Sequence, residues 1–277
     1  SSNKNSKKNT GKIIPQLILD ELNKINLNFN EPIIPVKKSI FELIIPSTFS
    51  DSQLSILSEE KLKSGVSKIT SKLLVSPDKI LEIVNHLISG RHILLTGPVG
   101  TGKTSIGMMI PEIFGDSESK YVSEEFTATN DWTTQDIIGG IFPKMRNEHD
   151  VMFDIQYGCV TETVLQNWEN GVDQGKRTNS FRKDEDGILQ IVKGIWLVID
   201  EFNRADIDKA FGQLFTALRT KKLKIPTNIA TKSYLDLKIP EDYRIIGTLN
   251  TSDKHYLFEL SDALKSRFAH VEIEIPS

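Results

Sequence analysis

The stretch His92-Ile93-Leu94-Leu95-Thr96-Gly97-Pro98-Val99-Gly100-Thr101-Gly102-Lys103-Thr104-Ser105 decides the fold. His92 to Thr96 is an apolar run of strand length, and Ser105 to Ile110 reads as a helix. Glycines at 97, 100 and 102 lie between them, where the chain must turn sharply. A strand entering a helix through such a loop is the opening unit of an α/β sheet.

The same rhythm extends outward. Upstream, Ser76-Pro77-Asp78 is a helix start, with a capping Ser, Pro at the first helical position and an acid in the first turn. Ile80, Leu81, Val84, Leu87 and Ile88 follow at helical spacing, and Gly90 ends the helix. Downstream, strands are expected at Lys120 to Val122, Ile195 to Ile199 and Tyr243 to Leu249, with helices at about 160–170 and 207–219. The unbroken apolar run 195–199 suits a parallel sheet covered on both faces. Residues 172–194 break the rhythm and read as an inserted hairpin, with Asp186-Gly187 between Ser180-Phe181 and Ile188-Leu189. Residues 1–65 read as a partly disordered extension, since Pro15, Pro32, Pro35 and Pro46 interrupt short apolar runs such as 41–45. Residues 66–277 are the expected core.

Gly97 to Thr104 matches the P-loop pattern Gly-x-x-x-x-Gly-Lys-Thr in full. Glycines let successive backbone N–H groups face one phosphate chain, and the following helix adds its positive dipole end. Gly97, Pro98, Val99, Gly100, Thr101, Gly102, Lys103, Thr104 and Ser105 are therefore the candidate nucleotide-binding residues. Lys103 would reach the β- and γ-phosphates, and the Thr104 hydroxyl would ligate Mg²⁺. Asp200 and Glu201 close the strand 195–199, and two acids there are costly unless they lie at the sheet's ligand-binding edge. Asp200 is the candidate second holder of Mg²⁺, through its water shell, and Glu201 the group that polarises the attacking water. Asn250 ends another strand: its amide could reach the γ-phosphate and the water, or Asn250-Thr251-Ser252-Asp253 could form an Asx-type turn. Arg267, in Leu260 to Phe268, reads locally as a structural or surface cation.

Composition narrows the function classes. There are 34 Lys and Arg against 37 Asp and Glu, a net charge of −3, so no global basic field demands nucleic acid. Lys4, Lys7, Lys8 and Lys12 read as a solvated tail. The single cysteine, Cys159, excludes an intramolecular disulfide framework, has no zinc-type cluster around it and reads as a small apolar residue. No apolar run approaches the roughly 18 residues of a membrane helix, and no signal peptide is visible. A reducing, cytoplasmic setting without membrane insertion is expected. The absence of an initial Met reads as part of a longer protein.

In this order, the segments resemble the AAA+ superfamily, and within it the MoxR-like and McrB-like branch that carries an insert near helix 2. Gly97–Thr104 resembles Walker A and Trp196–Glu201 Walker B. Glu201-Phe202-Asn203-Arg204-Ala205-Asp206 is similar to the branch's Asp-Glu-x-Asn-Arg-Ala stretch, and Trp132 to Gly140 to its segment after the second strand. Asn250 matches sensor 1, and Ala263 to Phe268 resembles the segment ending in an arginine finger. The resemblance covers about residues 70–275. It implies the α/β three-layer sandwich of P-loop NTPases, with a mainly parallel central sheet and a helix-2 β-hairpin insert. The chain stops at Ser277, where the helical lid and its sensor 2 arginine would begin, so a core without the lid is expected.

The resemblance gives Asn250 a water-positioning role and makes Arg267 the candidate finger for a neighbouring subunit's nucleotide. It implies Mg²⁺-dependent ATP hydrolysis, with GTP as the alternative because the run 249–254 is similar to McrB-like proteins. It also implies assembly with copies of itself, usually as a hexameric ring, that remodels or moves a macromolecule. Protein is the expected substrate, as in MoxR-like chaperones, with a McrB-like DNA translocase as the alternative. A nucleotide-dependent scaffold with little turnover is the reading from another class. Arg219, Lys221, Lys222 and Lys224 read as a solvated helix end, with lining of a pore as the alternative. Trp132 reads as core, with substrate gripping as the alternative.

Overall fold

In the computed structural model the described residues are 54, 58–115, 119–147, 150–169, 173–177, 181–183, 189–229, 233–251 and 262–274. The chain separates into two units, Ser1–Lys38 and Ser39–Ser277, and every described residue belongs to the second. Of the expected extension, residues 1–53 and 55–57 lie outside the described residues, as do Asp186-Gly187, Ser252-Asp253 and Leu260-Ser261.

Helix α1 (Glu59–Lys72) is capped by Ser58, whose hydroxyl accepts the Lys61 N–H at 3.3 Å. Helix α2 (Pro77–Ile88) has the expected start: Ser76 accepts the Lys79 N–H, Pro77 takes the first position, and Asp78 lies in the first turn. Strand β1 (His92–Gly97) then leads through the glycine loop into α3 (Lys103–Met109), which tightens into a 3₁₀ turn over Ile110–Phe114.

Strands β2 (Ser119–Thr127), β8 (Leu189–Asp200), β11 (Ile245–Asn250) and β12 (Phe268–Glu272) join β1 in the order β12-β1-β11-β8-β2, with every neighbouring pair parallel. Helices cover both faces because side chains alternate along each strand. Ile93, Leu95, Trp196, Val198 and Ile246 share one core with α1, α2 and α3. Leu94, Leu197, Ile199, Ile245 and Leu249 face a second core. That second core is filled from α5 (Cys159–Leu165) and α6 (Ile207–Thr220). Together these make the expected three-layer α/β sandwich.

The hairpins differ from the sequence reading. The arms expected around 181 and 189 do pair: β7 (Phe181–Lys183) runs antiparallel to the start of β8. That hairpin therefore shares its second arm with a core strand instead of standing apart. Strands β5 (Trp168–Glu169) and β6 (Asp173–Arg177) precede it, so the helix expected over 160–170 ends at Leu165.

Two further hairpins fall where the residue pattern placed no strands. β3 (Gly139–Asn147) pairs with β4 (Asp150–Tyr157) just after the short helix α4 (Thr134–Ile137). It lacks an Asn-Gly or Asp-Gly turn, and Pro143 interrupts its first arm. β9 (Lys222–Asn228) pairs with β10 (Ser233–Lys238). Lys222 and Lys224 thus belong to a strand whose exposed positions alternate with buried Leu223 and Ile225; they are not part of a helix end.

Candidate functional site

In the parallel sheet, β1, β8 and β11 all deliver their last residues to one edge. The ladder pairs Gly97 with Asn250 and Thr127 with Asp200, so the glycine loop, the two acids and the sheet asparagine meet there. β11 lies between β1 and β8, which seats Asn250 between loop and acids.

The loop is shaped by its glycines. Gly97, Gly100 and Gly102 have φ of 153°, 83° and 77°, and Gly102 is the left-handed N-cap of α3. A Cβ on Gly97 would lie 2.2 Å from the Ile273 carbonyl oxygen. The Thr101 hydroxyl donates to Pro98 O at 2.9 Å and closes the loop on itself. Lys103, 5% exposed, donates to Gly97 O at 3.0 Å and to Pro98 O at 2.7 Å. Its ammonium is held below the usual lysine range by desolvation, partly offset by the negative charge of Asp200. Val99 in the loop and Ser105 in the first turn of α3 are exposed.

The Thr104 hydroxyl donates to Asp200 Oδ1 at 2.6 Å, and the Thr248 hydroxyl donates to the same oxygen at 2.5 Å. Among the described residues, no protein donor reaches Oδ2. A hydroxyl beside a carboxylate is the hard oxygen donor set that Mg²⁺ accepts while keeping most of its waters. Thr104 and Asp200 therefore fit such an ion.

Glu201 follows in a left-handed conformation with φ 53°, uncommon for a residue with a side chain. Its N–H donates to Thr248 Oγ1 at 3.1 Å. Arg204, one 3₁₀ turn on, engages both carboxylate oxygens, Nε to Oε2 at 2.6 Å and Nη2 to Oε1 at 3.0 Å. Phe202 anchors this turn by stacking on Phe211 of α6, with ring centroids 4.3 Å apart. Trp132 also packs toward Phe211, at 6.5 Å, as a partly buried residue of the core beneath α6.

Residues 92–268 match the family described as AAA domain (dynein-related subfamily). The chain belongs to this AAA family. No curated protein matches it. An AAA domain implies nucleotide-dependent ATPase activity, usually with Mg²⁺, and such domains commonly assemble into rings. Among the described residues, no helix is long and apolar enough to cross a membrane.

Within this AAA domain the predicted site residues divide into two groups. Gly97 to Thr104, Asp200, Glu201 and Asn250 gather at one edge. Arg267 does not join them: it precedes β12, its carbonyl accepts the His92 N–H at 3.1 Å, and His92 begins β1. The length of β1 thus separates Arg267 from the loop in its own chain. The Arg267 guanidinium donates to Ser266 Oγ at 2.9 Å, and the side chain is half-buried.

Sequence reading missed Thr248 and gave Arg204 no role. A polar hydroxyl inside an apolar strand, two residues before Asn250, was the available signal for the first. Arg204 lies within the quoted 201–206 motif, but its grip on Glu201 depends on the 3₁₀ turn.

Proposed function

We propose that this AAA domain hydrolyses ATP with Mg²⁺ in a ring of identical subunits and uses the cycle to remodel a macromolecule, in the manner of the MoxR-like branch. The observation that carries the reading is the convergence of Thr104 on Asp200, with Glu201 next in the chain and Asn250 on the ladder rung of Gly97. In this reading residues 66–277 act as the nucleotide-binding core.

The loop 97–102 cradles the phosphate chain with backbone N–H groups, and Lys103 swings from the Gly97 and Pro98 carbonyls to the β- and γ-phosphates. Thr104 and Asp200 hold Mg²⁺, which neutralises charge on the phosphate oxygens when bound. Glu201 orients the lytic water and takes its proton as the water oxygen bonds to the γ-phosphorus and the bond to the β,γ-bridging oxygen breaks. Asn250 fixes the water from the β1 side. Arg267, a strand length from its own loop, serves the neighbouring subunit's nucleotide. A cation supplied in this way is worth about 10³- to 10⁵-fold in rate.

A protein substrate is favoured because the net charge of −3 supplies no field for DNA. The run Leu249-Asn250-Thr251-Ser252-Asp253-Lys254 supports the second reading, a McrB-like GTP-dependent DNA translocase. The test is phosphate release from ATP and GTP in parallel, with Mg²⁺, at rising protein concentration, for wild type and Glu201→Gln. Turnover that climbs with concentration and vanishes in the variant supports a ring-dependent NTPase, and the faster nucleotide identifies the substrate. Nucleotide binding with equal, negligible turnover in both proteins replaces it with a nucleotide-dependent scaffold.

A further inference from the structure

The ladder between β11 and β8 carries the pairs Ile245–Leu197, Ile246–Val198 and Gly247–Ile199, and stops there. The next rung would set Thr248 beside Asp200, but there β8 parts from β11 while Asp200 still pairs with Thr127 of β2, and Glu201 then turns left-handed. The Thr248 side chain spans this break. Its hydroxyl donates to Asp200 Oδ1 at 2.5 Å and accepts the Glu201 N–H at 3.1 Å. A hydroxyl has one proton and two lone pairs, so both bonds form together, and the donor must serve Asp200 because a backbone N–H can only donate. Thr248 is 2% exposed, which removes water as a competitor for either bond.

We propose that Thr248 is a positioning residue that sets both acids of the site through one hydroxyl. It turns the Asp200 carboxylate toward the Thr104 side, and it pins the backbone from which Glu201 presents its own carboxylate. A non-glycine residue at positive φ persists only where its surroundings hold it. Here the Glu201 N–H is bound by Thr248, and its carbonyl accepts the Arg204 N–H at 2.8 Å. The inference rests on the hydrolytic reading above and deepens it by assigning the residue that keeps the two acids in register.

The test compares wild type, Thr248→Val and Thr248→Ser in the full chain. Valine keeps the branched shape and loses both bonds, whereas serine keeps the hydroxyl and loses the methyl. Three quantities are read: the Mg²⁺ dependence of binding of a fluorescent ATP analogue, kcat and KM for ATP, and hydrogen exchange at the Glu201 amide. Thr248→Val is expected to raise the half-maximal Mg²⁺ concentration and lower kcat, each on the order of 10- to 100-fold. Affinity for the analogue in EDTA stays unchanged, exchange at Glu201 accelerates, and Thr248→Ser returns all of these to wild-type values. Losses in Thr248→Ser as large as those in Thr248→Val would overturn the inference, because serine retains the hydroxyl that makes both bonds. A valine variant with wild-type Mg²⁺ response and wild-type exchange would overturn it as well. If wild type binds the analogue but does not turn ATP over, the hydrolytic reading fails, while the Mg²⁺ titration and the exchange rate still decide the role of Thr248. If it binds no nucleotide, exchange at Glu201 with serine rescue decides it alone.

Discussion

Arg204 holds both carboxylate oxygens of Glu201, through Nε at 2.6 Å and Nη2 at 3.0 Å, from three residues further along the same 3₁₀ turn. A planar guanidinium can grip a carboxylate by both oxygens, so the Glu201 side chain has a defined direction despite its strained backbone.

Loss of that grip should appear in catalysis. Arg204→Ala is expected to lower kcat about 10- to 100-fold with KM for ATP little changed, because a misdirected base costs rate and leaves the phosphate cradle intact. Arg204→Lys should recover part of the loss, since an ammonium cannot engage both oxygens in a fixed plane. Steady-state kinetics of the three proteins checks this, and a rise in KM without a fall in kcat would contradict it.

The loop glycines are not equivalent. Gly97→Ala adds a Cβ 2.2 Å from Ile273 O at a φ of 153°, where Thr96 O already accepts the Ile273 N–H at 2.7 Å. A loss of at least about 2 kcal/mol is expected, a fall in Tm of roughly 4–8 °C. Gly100→Ala meets no atom within 4 Å and bears only its positive φ, so about 1 kcal/mol is expected. Paired melting curves would show the order.

Stability should fall in mild acid through His92. Burial, then the charges of Arg244, Lys221 and Arg267, hold its imidazole well below the usual 6.5, while Nδ1 accepts the Ile245 N–H at 3.0 Å. The unfolded chain takes up this proton near pH 6.5 and the folded chain does so only at much lower pH. Stability from this group is therefore level above 6.5. It declines below that value by up to about 1.4 kcal/mol per pH unit, until the folded imidazole itself titrates. His92→Asn keeps an acceptor for Ile245 and removes the ionisation. Urea titrations from pH 7 to 5 should show a shallower slope in the variant.

Cys159 should be inert in the native state. It is 2% exposed, and burial pushes its thiol up to about 12, so thiolate is scarce at neutral pH. A thiol reagent should label it only as the chain unfolds. Rapid native labelling would mean that α5 opens locally.

Local sequence carried much of the architecture. Ser76-Pro77-Asp78 starts a helix because cap, proline and acid each act within one turn, and α2 begins there. The glycine loop was legible because a strand, three flexible positions and a helix are consecutive in the chain. The hairpins were less legible. β9 was hidden because Lys222 and Lys224 extend the charge at the end of α6, and only the burial of Leu223 and Ile225 against the second core selects a two-residue period.

By itself the sequence determined the residue types of the loop, the acids at the end of an apolar strand and the alternation of strand and helix, since these depend on neighbours within a few residues. Tertiary structure decided which strand ends lie side by side. Gly97 and Asn250 share a rung because β11 inserts between β1 and β8, a choice made by which apolar faces bury together. It also decided that Thr248 reaches Asp200 and Glu201 and that Arg267 stands at the far end of β1. Such relations join residues distant in the chain, and parallel pairing sets them through long-range burial that no local pattern encodes.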